Sequence, residues 1–235
     1  MLELRNITAG YGDTTVLRDV SITVPDSAVV ALLGPNGAGK TTTLRVASGL
    51  VRPRRGAVEL DGAEVSRLGP SRRVARGLCH IPEGRGIFPS LTVRENLILD
   101  SARGKERESI EKAVETFPVL GIRQRQVAGT LSGGEQQMLA LVRAYVSKPK
   151  IVLVDEASLG LAPLVVDSIF EFLERLAAEG VALLVVEQYV TRALALASTV
   201  YLLSQGSIVY SGPAAELDED AIFAMYAGYE ARPAS

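Results

Sequence analysis

The sequence predicts an α/β fold with a parallel-stranded core and an inserted helical subdomain. Three runs are continuously apolar, at residues 28–33, 151–154 and 181–186, which is typical of strands covered on both faces. Segments with helical spacing of apolar residues separate these runs, and strands that alternate with helices usually form a parallel sheet. A charged, helix-favouring stretch over residues 93–121 interrupts the alternation, and we interpret it as the insertion.

Composition limits the classes of function. The chain has 235 residues, with 25 Lys and Arg against 27 Asp and Glu, so its formal net charge is -2. A general phosphate-backbone binder normally carries a basic excess, so we expect no nucleic acid partner. Cys79 is the one cysteine, which leaves no internal disulfide. Every apolar run is far shorter than the ~20 residues of a membrane helix, so we expect the chain not to cross a membrane unaided.

The N-terminal part predicts two half-buried strands, a buried strand and a helix. Mixed alternation of apolar and polar residues over 2–8 and 16–24 favours strands with one face on a core. The buried run 28–33 ends in a glycine-rich loop, and residues 40–50 have the pattern of a helix. Residues 58–60 form a short predicted strand before the turn at Asp61-Gly62.

The middle of the chain predicts helices. Ile110, Val114 and Phe117 recur at helical spacing before Pro118, which we expect to stop the run. A further helix starts at Gly133-Gly134. Its predicted core-facing side consists of Met138, Leu141, Val142 and Tyr145.

The C-terminal part predicts two further strand–helix units. The apolar run 151–154 ends at Asp155-Glu156, and Pro163 suits the first turn of the helix that follows. After the third apolar run, residues 199–203 and 207–210 are predicted as a closing hairpin around Gly206.

A phosphate-binding loop is the clearest chemical motif. The segment Gly34-Pro35-Asn36-Gly37-Ala38-Gly39-Lys40-Thr41 matches G-x-x-x-x-G-K-[ST] between a buried strand and a helix. Glycines let backbone N–H groups turn around the phosphates, and the helix presents its positive end. We expect Lys40 to reach the outer phosphates, Thr41 to ligate Mg²⁺, and Thr42 to join the nucleotide contacts.

Two acidic residues follow the second apolar strand. Asp155 and Glu156 stand at the carboxyl end of that strand, where α/β sheets bind ligands. Two acids after a strand more often form a solvated loop, but a phosphate loop in the same chain reverses that expectation. We predict that Asp155 holds Mg²⁺ through water and that Glu156 orients or deprotonates the attacking water.

A second anion site is predicted at the start of another helix. In the segment Leu131-Ser132-Gly133-Gly134-Glu135-Gln136, we expect Ser132, Gly133 and Gly134 to present free N–H groups. The order of the three motifs along the chain resembles that of ATP-binding-cassette ATPases. The resemblance implies a P-loop NTPase fold with a mixed sheet core, an antiparallel β subdomain and an inserted α-helical subdomain. It further implies one domain over residues 1–235, with a nucleotide-binding core at 1–85 and 145–235 and a helical subdomain at about 86–144.

Further segments resemble the branched-chain amino acid importer branch of this family, and within it the shorter of two ATPase subunits. These are Ile81-Pro82-Glu83-Gly84-Arg85-Gly86-Ile87-Phe88-Pro89, Leu91-Thr92-Val93-Arg94-Glu95-Asn96-Leu97, Asp155-Glu156-Ala157-Ser158-Leu159-Gly160-Leu161-Ala162-Pro163 and Val186-Glu187-Gln188. In the family an aromatic residue at the position of Tyr11 stacks on adenine, so the resemblance implies that Tyr11 contacts the adenine ring.

Three residues depart from the general family pattern. Glu83 occupies the position of the usual Q-loop glutamine, where its carboxylate is expected to take part in catalysis and in Mg²⁺ binding. Gln188 replaces the usual switch histidine and keeps only the capacity to hydrogen-bond. Leu161 replaces the D-loop aspartate and removes a polar link across a dimer. The one histidine, His80, lies beside the Q-loop, and we predict a structural role for it.

The resemblance implies a motor subunit that uses ATP and Mg²⁺ to drive uptake of branched-chain or related small amino acids. It also implies a head-to-tail partnership with a second ATPase, two membrane permease subunits and, indirectly, an extracytoplasmic substrate-binding protein. The expected location is cytoplasmic, on the inner face of the cell membrane. A related urea or amide importer and a non-transport scaffold ATPase remain alternatives.

Overall fold

The computed structural model describes residues 1–84, 86–99, 101 and 103–226, without the side chains of residues 144, 219, 225 and 226. Arg85 of the predicted Q-loop segment and the chain after 226 lie outside the described residues. The strands are β1 (Leu2–Tyr11), β2 (Thr14–Val24), β3 (Val29–Leu33), β4 (Arg55–Leu60), β5 (Ala63–Glu64), β6 (Leu78–Ile81), β7 (Ile151–Asp155), β8 (Ala182–Val186), β9 (Thr199–Ser204) and β10 (Ser207–Pro213). The helices are α1 (Lys40–Ser48), α2 (Pro70–Val74), α3 (Val93–Leu99), α4 (Glu106–Thr116), α5 (Pro118–Ile122), α6 (Gly133–Val146), α7 (Pro163–Ala178), α8 (Val190–Leu196) and α9 (Glu219–Tyr226).

A four-stranded antiparallel sheet has the order β2-β1-β4-β5. Its central strand β1 pairs with β2 from Leu2 opposite Val24 to Tyr11 opposite Thr14, with irregularities between them. The alternation predicted for the first two strands is confirmed, because the buried side chains of this sheet face a shared core.

A six-stranded sheet, ordered β10-β9-β3-β8-β7-β6, forms the centre of the molecule. Its strands run parallel except β10, which pairs antiparallel with β9 as the predicted closing hairpin. Every residue of β3, β7 and β8 is buried, as the three apolar runs predict. The carboxyl ends of these parallel strands meet at one edge of the sheet, and the predicted site residues follow them directly.

The antiparallel sheet and α1 cover one face of the central sheet, and helices α3 to α7 cover the opposite face. One core cluster joins the antiparallel sheet, α1 and the face that carries Leu153 and Leu184. A second cluster joins the opposite face, with Val152 and Val154, to helices α3 to α7. The prediction for the core-facing side of α6 is confirmed, since Leu141 and Val142 belong to this second cluster and the partly buried Met138 and Tyr145 pack against it.

Several boundaries differ from the sequence expectation. Strand β6 carries Cys79 and His80 at its centre and was not predicted, since the segment lacks a continuous apolar run. Helix α1 ends at Ser48 because Gly49, with φ 82°, provides a left-handed cap. Pro118 follows the end of α4, as expected, but it also opens α5 at the first helical position. Within the described ranges, none of the helices has both the length and the apolar character that a bilayer-spanning segment requires.

Candidate functional site

The phosphate-binding motif forms a tight loop between β3 and α1. Gly39 precedes α1 with φ 112°, and Gly37 has φ 80°, two left-handed conformations that favour glycine. A Cβ atom at Gly39 would lie 2.7 Å from Leu17 Cδ2, so a larger residue would collide with the antiparallel sheet. Backbone geometry therefore favours glycine at both positions, of which Gly39 is one that the motif specifies.

Lys40 lies at the base of this loop with a side chain that is 6% exposed. Its Nζ donates hydrogen bonds to the carbonyl oxygens of Gly34 at 2.9 Å and Pro35 at 3.3 Å. Glu156 Oε1 lies 3.8 Å from the same Nζ. The ammonium is thus held by oxygen atoms at the mouth of the loop, a position from which it can also bind a phosphate oxygen.

Thr41 and Asp155 bring two oxygen ligands together. Thr41 Oγ1 donates to Asp155 Oδ1 at 3.1 Å, and Asp155 is 1% exposed. Burial raises the pKa of Asp155 to about 6, and the negative charges of Glu156 and Glu83 act in the same direction. Hard oxygen donors of this kind suit Mg²⁺. Among the described residues, no three His, Cys, Asp or Glu side chains form a metal-binding group, so an ion held here would also need oxygens of a bound nucleotide.

Glu156 has a strained backbone that directs its side chain into the site. Its φ is 48°, an uncommon value for a residue with a side chain, and its N–H donates to the Val186 carbonyl at 2.8 Å. Gln188 Nε2 donates to Glu156 Oε2 at 3.2 Å. The Glu156 carboxylate therefore lies between an ammonium and an amide, and this bond from Gln188 to Glu156 was not predicted from the sequence.

An open cleft of about 480 Å³ brings most of the predicted site residues together. Glu83 lines it from the loop after β6. The other lining residues are Val16, Asn36, Gly37, Gly39, Lys40, Thr41, Thr42, Glu156, Leu159 and Gln188. Four parallel strands, β3, β6, β7 and β8, thus supply the loops of this cleft, which has the shape and chemistry of a site for a phosphate ester.

Tyr11 lies at the end of β1, with 44% of its surface exposed. Its hydroxyl accepts a hydrogen bond from Arg45 Nη1 at 3.2 Å, which joins the end of the hairpin to α1. Arg54 holds the turn beyond it by donating to Thr15 Oγ1 at 3.0 Å and to the Gly12 carbonyl. The ring has free surface for stacking, and sequence reasoning did not identify the two arginines that support it.

Ser132 caps the N-terminus of α6 and does not line the cleft. Ser132 Oγ accepts from the Glu135 N–H at 3.3 Å, while Glu135 Oε2 accepts from the Ser132 N–H at 2.8 Å. The Ser132 N–H is therefore engaged in this capping box, contrary to the expectation of a free group. Gly133 and Gly134 remain in the first helical turn, whose N–H groups have no partners within the helix.

His80 has the structural character predicted for it. Burial lowers its pKa to about 4, with the charge of Arg45 adding to the effect. Its Nε2 is buried without a hydrogen-bond partner in the described part of the chain. Sequence reasoning also gave no role to Glu187 and Ser158, which join two loops of the cleft. The available signal was the position of Glu187 directly after a fully apolar strand.

Comparisons with known proteins agree with this geometry. A family model described as ABC transporter matches residues 17–159. The high-affinity branched-chain amino acid transport ATP-binding protein BraG of Pseudomonas aeruginosa is 42% identical over 92% of this chain and 94% of its own length. The probable branched-chain amino acid transport ATP-binding protein LivF of Archaeoglobus fulgidus is 37% identical over 93% and 94%. The lipopolysaccharide export ATP-binding protein LptB of Haemophilus influenzae is 33% identical over 97% of each chain.

Solved structures give the same match in three dimensions. The structure described as the ATP-binding subunit of an ABC transporter superposes with a TM-score of 0.85 at 26% identity, over 97% of this chain and 99% of that one. A nucleotide-free ATP-binding cassette from an ABC transporter superposes with a TM-score of 0.79 at 26% identity, over 91% of each chain. The expected mixed sheet core, antiparallel sheet and helices are confirmed by these matches.

Proposed function

Because the chain belongs to the ABC transporter family as an ATP-binding ATPase subunit, we propose that it drives an importer for branched-chain or related small amino acids. The substrate class rests on the relatives BraG and LivF, which are 42% and 37% identical to this chain. LptB, which is named for lipopolysaccharide export, is 33% identical.

The observation that carries the proposed mechanism is the convergence of Lys40, Glu156 and Gln188 in one cleft. Phosphates bound in the loop 34–42 would place the γ-phosphate beside the Lys40 ammonium and the Glu156 carboxylate. Glu156 takes a proton from water as the water oxygen forms its bond to γ-phosphorus. The bond from γ-phosphorus to the bridging oxygen breaks, and ADP leaves with that electron pair. Gln188 holds the Glu156 carboxylate in place through its 3.2 Å hydrogen bond.

The oxygen ligands of the cleft fit Mg²⁺. Thr41 and Asp155 would hold the ion, and Glu83 lies within electrostatic reach of Asp155. When bound, Mg²⁺ neutralises negative charge that develops on the phosphates. Its double positive charge would also lower the pKa of Asp155 from about 6 and keep that carboxylate ionised.

A second ATPase chain completes the proposed site. Ser132, Gly133 and Gly134 begin a helix outside the cleft, so the first-turn N–H groups of one chain would contact the phosphates bound by another in a head-to-tail pair. In the natural complex we propose a paralogous ATPase as the second chain, and in isolation a second copy of this one.

The permease subunits would dock beside the Q-loop. A largely apolar groove lies next to it, lined among others by Leu50, Val74 and Pro82. Docking there places the chain in the cytoplasm on the inner face of the membrane, with an extracytoplasmic binding protein delivering substrate to the permeases. The division into a core at 1–85 and 145–235 and a helical subdomain at about 86–144 stays a prediction, as does the contact of Tyr11 with adenine.

ATP hydrolysis by the Glu156→Gln variant tests the assignment of the base. The amide keeps the shape of the side chain but accepts no proton, so we expect kcat to fall by about 100-fold or more. The dissociation constant for ATP should stay within about threefold of wild type, because the phosphate loop is unchanged. Glu174→Gln, an exposed change on α7, serves as the matched control. Hydrolysis by Glu156→Gln at the wild-type rate would show that another group is the base.

A further inference from the structure

A buried carboxylate joins the loops that follow β7 and β8. Glu187, directly after β8, is 3% exposed, and Ser158, in the loop after β7, is fully buried. The Ser158 N–H donates to Glu187 Oε1 at 3.2 Å, and the Ser158 hydroxyl donates to Glu187 Oε2. Both oxygens of the carboxylate are therefore bound by the same residue of the neighbouring loop.

Within the described part of the chain, the groups that bind this carboxylate are neutral hydrogen-bond donors. Burial raises the pKa of Glu187 to about 7, the hydrogen bonds from Ser158 and the Gln188 N–H oppose that effect, and the charge of Glu156 adds to it. None of these contacting groups is a cation. A buried carboxylate that contacts no cation is costly unless hydrogen bonds satisfy it, so the two bonds from Ser158, together with the Gln188 N–H, hold Glu187 in this position.

The two joined loops carry the proposed catalytic groups. Glu156 lies two residues before Ser158, and Gln188 immediately follows Glu187. Glu156 and Gln188 also contact each other at 3.2 Å, on the cleft side of the buried pair. The Glu187–Ser158 contact and the Glu156–Gln188 contact thus connect the same two loops at two points. Glu156 and Gln188 form the more exposed of these two connections.

We propose that Glu187 is a positioning residue, which fixes Glu156 relative to Gln188 through its double hydrogen bond with Ser158. This inference rests on the proposed roles of Glu156 and Gln188. Leu161, later in the loop after β7, has no polar side-chain group that could add a link of this kind. Without the link, Ser158 would no longer be held in place. The left-handed backbone of Glu156, two residues before it, would then be less constrained.

Steady-state ATP hydrolysis by four variants tests the proposal. We expect Glu187→Ala to lower kcat by about 10-fold or more while KM for ATP changes by less than about threefold, because binding groups are intact. Glu187→Gln should recover kcat to within about threefold of wild type, since an amide oxygen still accepts from the Ser158 N–H. Ser158→Ala should show a smaller loss than Glu187→Ala, and the double variant should be no worse than Glu187→Ala.

The control is Glu179→Ala, which removes another carboxylate–hydroxyl bond, from Tyr145 at 2.9 Å, outside the cleft. It should leave kcat unchanged. Wild-type kcat in Glu187→Ala, or additive losses in the double variant, would overturn the proposal. Two results together would also overturn the proposal. In the first, Glu187→Ala loses kcat only in proportion to its unfolded fraction; in the second, Glu187→Gln is folded but equally slow. Glu156→Gln is assayed in parallel. If Glu156→Gln is inactive while Glu187→Ala has the wild-type kcat, this inference is wrong and the proposed function stands.

Discussion

At the scale of single residues, the carboxylate of Glu187 makes stability depend on pH. Its pKa in the folded protein is about 7, against 4.5 as its ordinary value. The folded state therefore binds this proton more tightly, and stability is lost as the pH rises from below 4.5 through 7. Because one pKa unit corresponds to about 1.4 kcal/mol, the loss is on the order of 3 kcal/mol.

Glu187→Gln should escape this loss, since its amide does not ionise. We expect its free energy of unfolding to exceed that of wild type at pH 8 and to approach it at pH 5. Urea unfolding at both pH values measures the difference. A difference between the two proteins that is the same at pH 5 and pH 8 would show that Glu187 does not titrate in this range.

Tyr11 gives a prediction for the other end of the site. Removing its ring in Tyr11→Ala should raise KM for ATP by about 10-fold, because base–aromatic stacking contributes about 1–3 kcal/mol. The value of kcat should stay unchanged, since stacking acts equally before and during the reaction. Tyr11→Phe keeps the ring and loses only the bond from Arg45, so its KM should stay within about twofold of wild type. Equal KM values for all three proteins would show that the adenine ring of ATP does not stack on Tyr11.

At the scale of elements, Arg73 fixes the end of α1. The side chain is fully buried, and burial lowers its pKa to about 10. Its guanidinium donates to the α1 carbonyls of Val46 and Ala47, both at 2.7 Å, and to Val65 at 2.8 Å. It therefore gives the Ala47 carbonyl a donor and gives the Val46 carbonyl a second one beside the Gly49 N–H.

We expect Arg73→Met to reduce the free energy of unfolding by about 3 kcal/mol or more, because the carbonyls of Ala47 and Leu68 lose the donor described for them and those of Val46 and Val65 lose one of two. Arg72→Met provides a matched control on the adjacent, exposed residue, where we expect a change within about 0.5 kcal/mol. Urea unfolding of both variants measures the effect. Equal stabilities of the two would mean that water or neighbouring groups satisfy the α1 carbonyls without Arg73.

The elements also show which features the sequence could predict. The apolar runs identified β3, β7 and β8, and the glycine pattern identified the loop before α1, because these signals are local. Strand β6 was missed because Cys79 and His80 interrupt its apolar pattern, and its place beside β7 depends on distant residues. The roles of Arg73 and Glu187 were missed for the same reason, since a charged residue in sequence gives no sign of burial by a partner many positions away.

At the scale of the whole molecule, the cleft of one chain forms only one side of the proposed nucleotide site. The cleft is lined by residues of the phosphate loop, Glu156 and Gln188, whereas the helix that begins after Ser132 lies in the part of the chain that packs as α3 to α6. The sequence order of the motifs predicted this division only through the family resemblance. No local pattern in the sequence indicates the proposed arrangement, in which the phosphate loop and the segment after Ser132 contact different nucleotides of a dimer.

The mass of Glu156→Gln in solution shows whether two chains share their bound nucleotides, because ATP that is bound and not hydrolysed should hold two chains together. Light scattering should give the 25.0 kDa monomer without nucleotide and twice that mass with ATP. Adding Ser132→Asp keeps an N-cap residue but sets a carboxylate against the partner's phosphates, so this double variant should stay monomeric. A mass of 25.0 kDa for Glu156→Gln at saturating ATP would contradict the account.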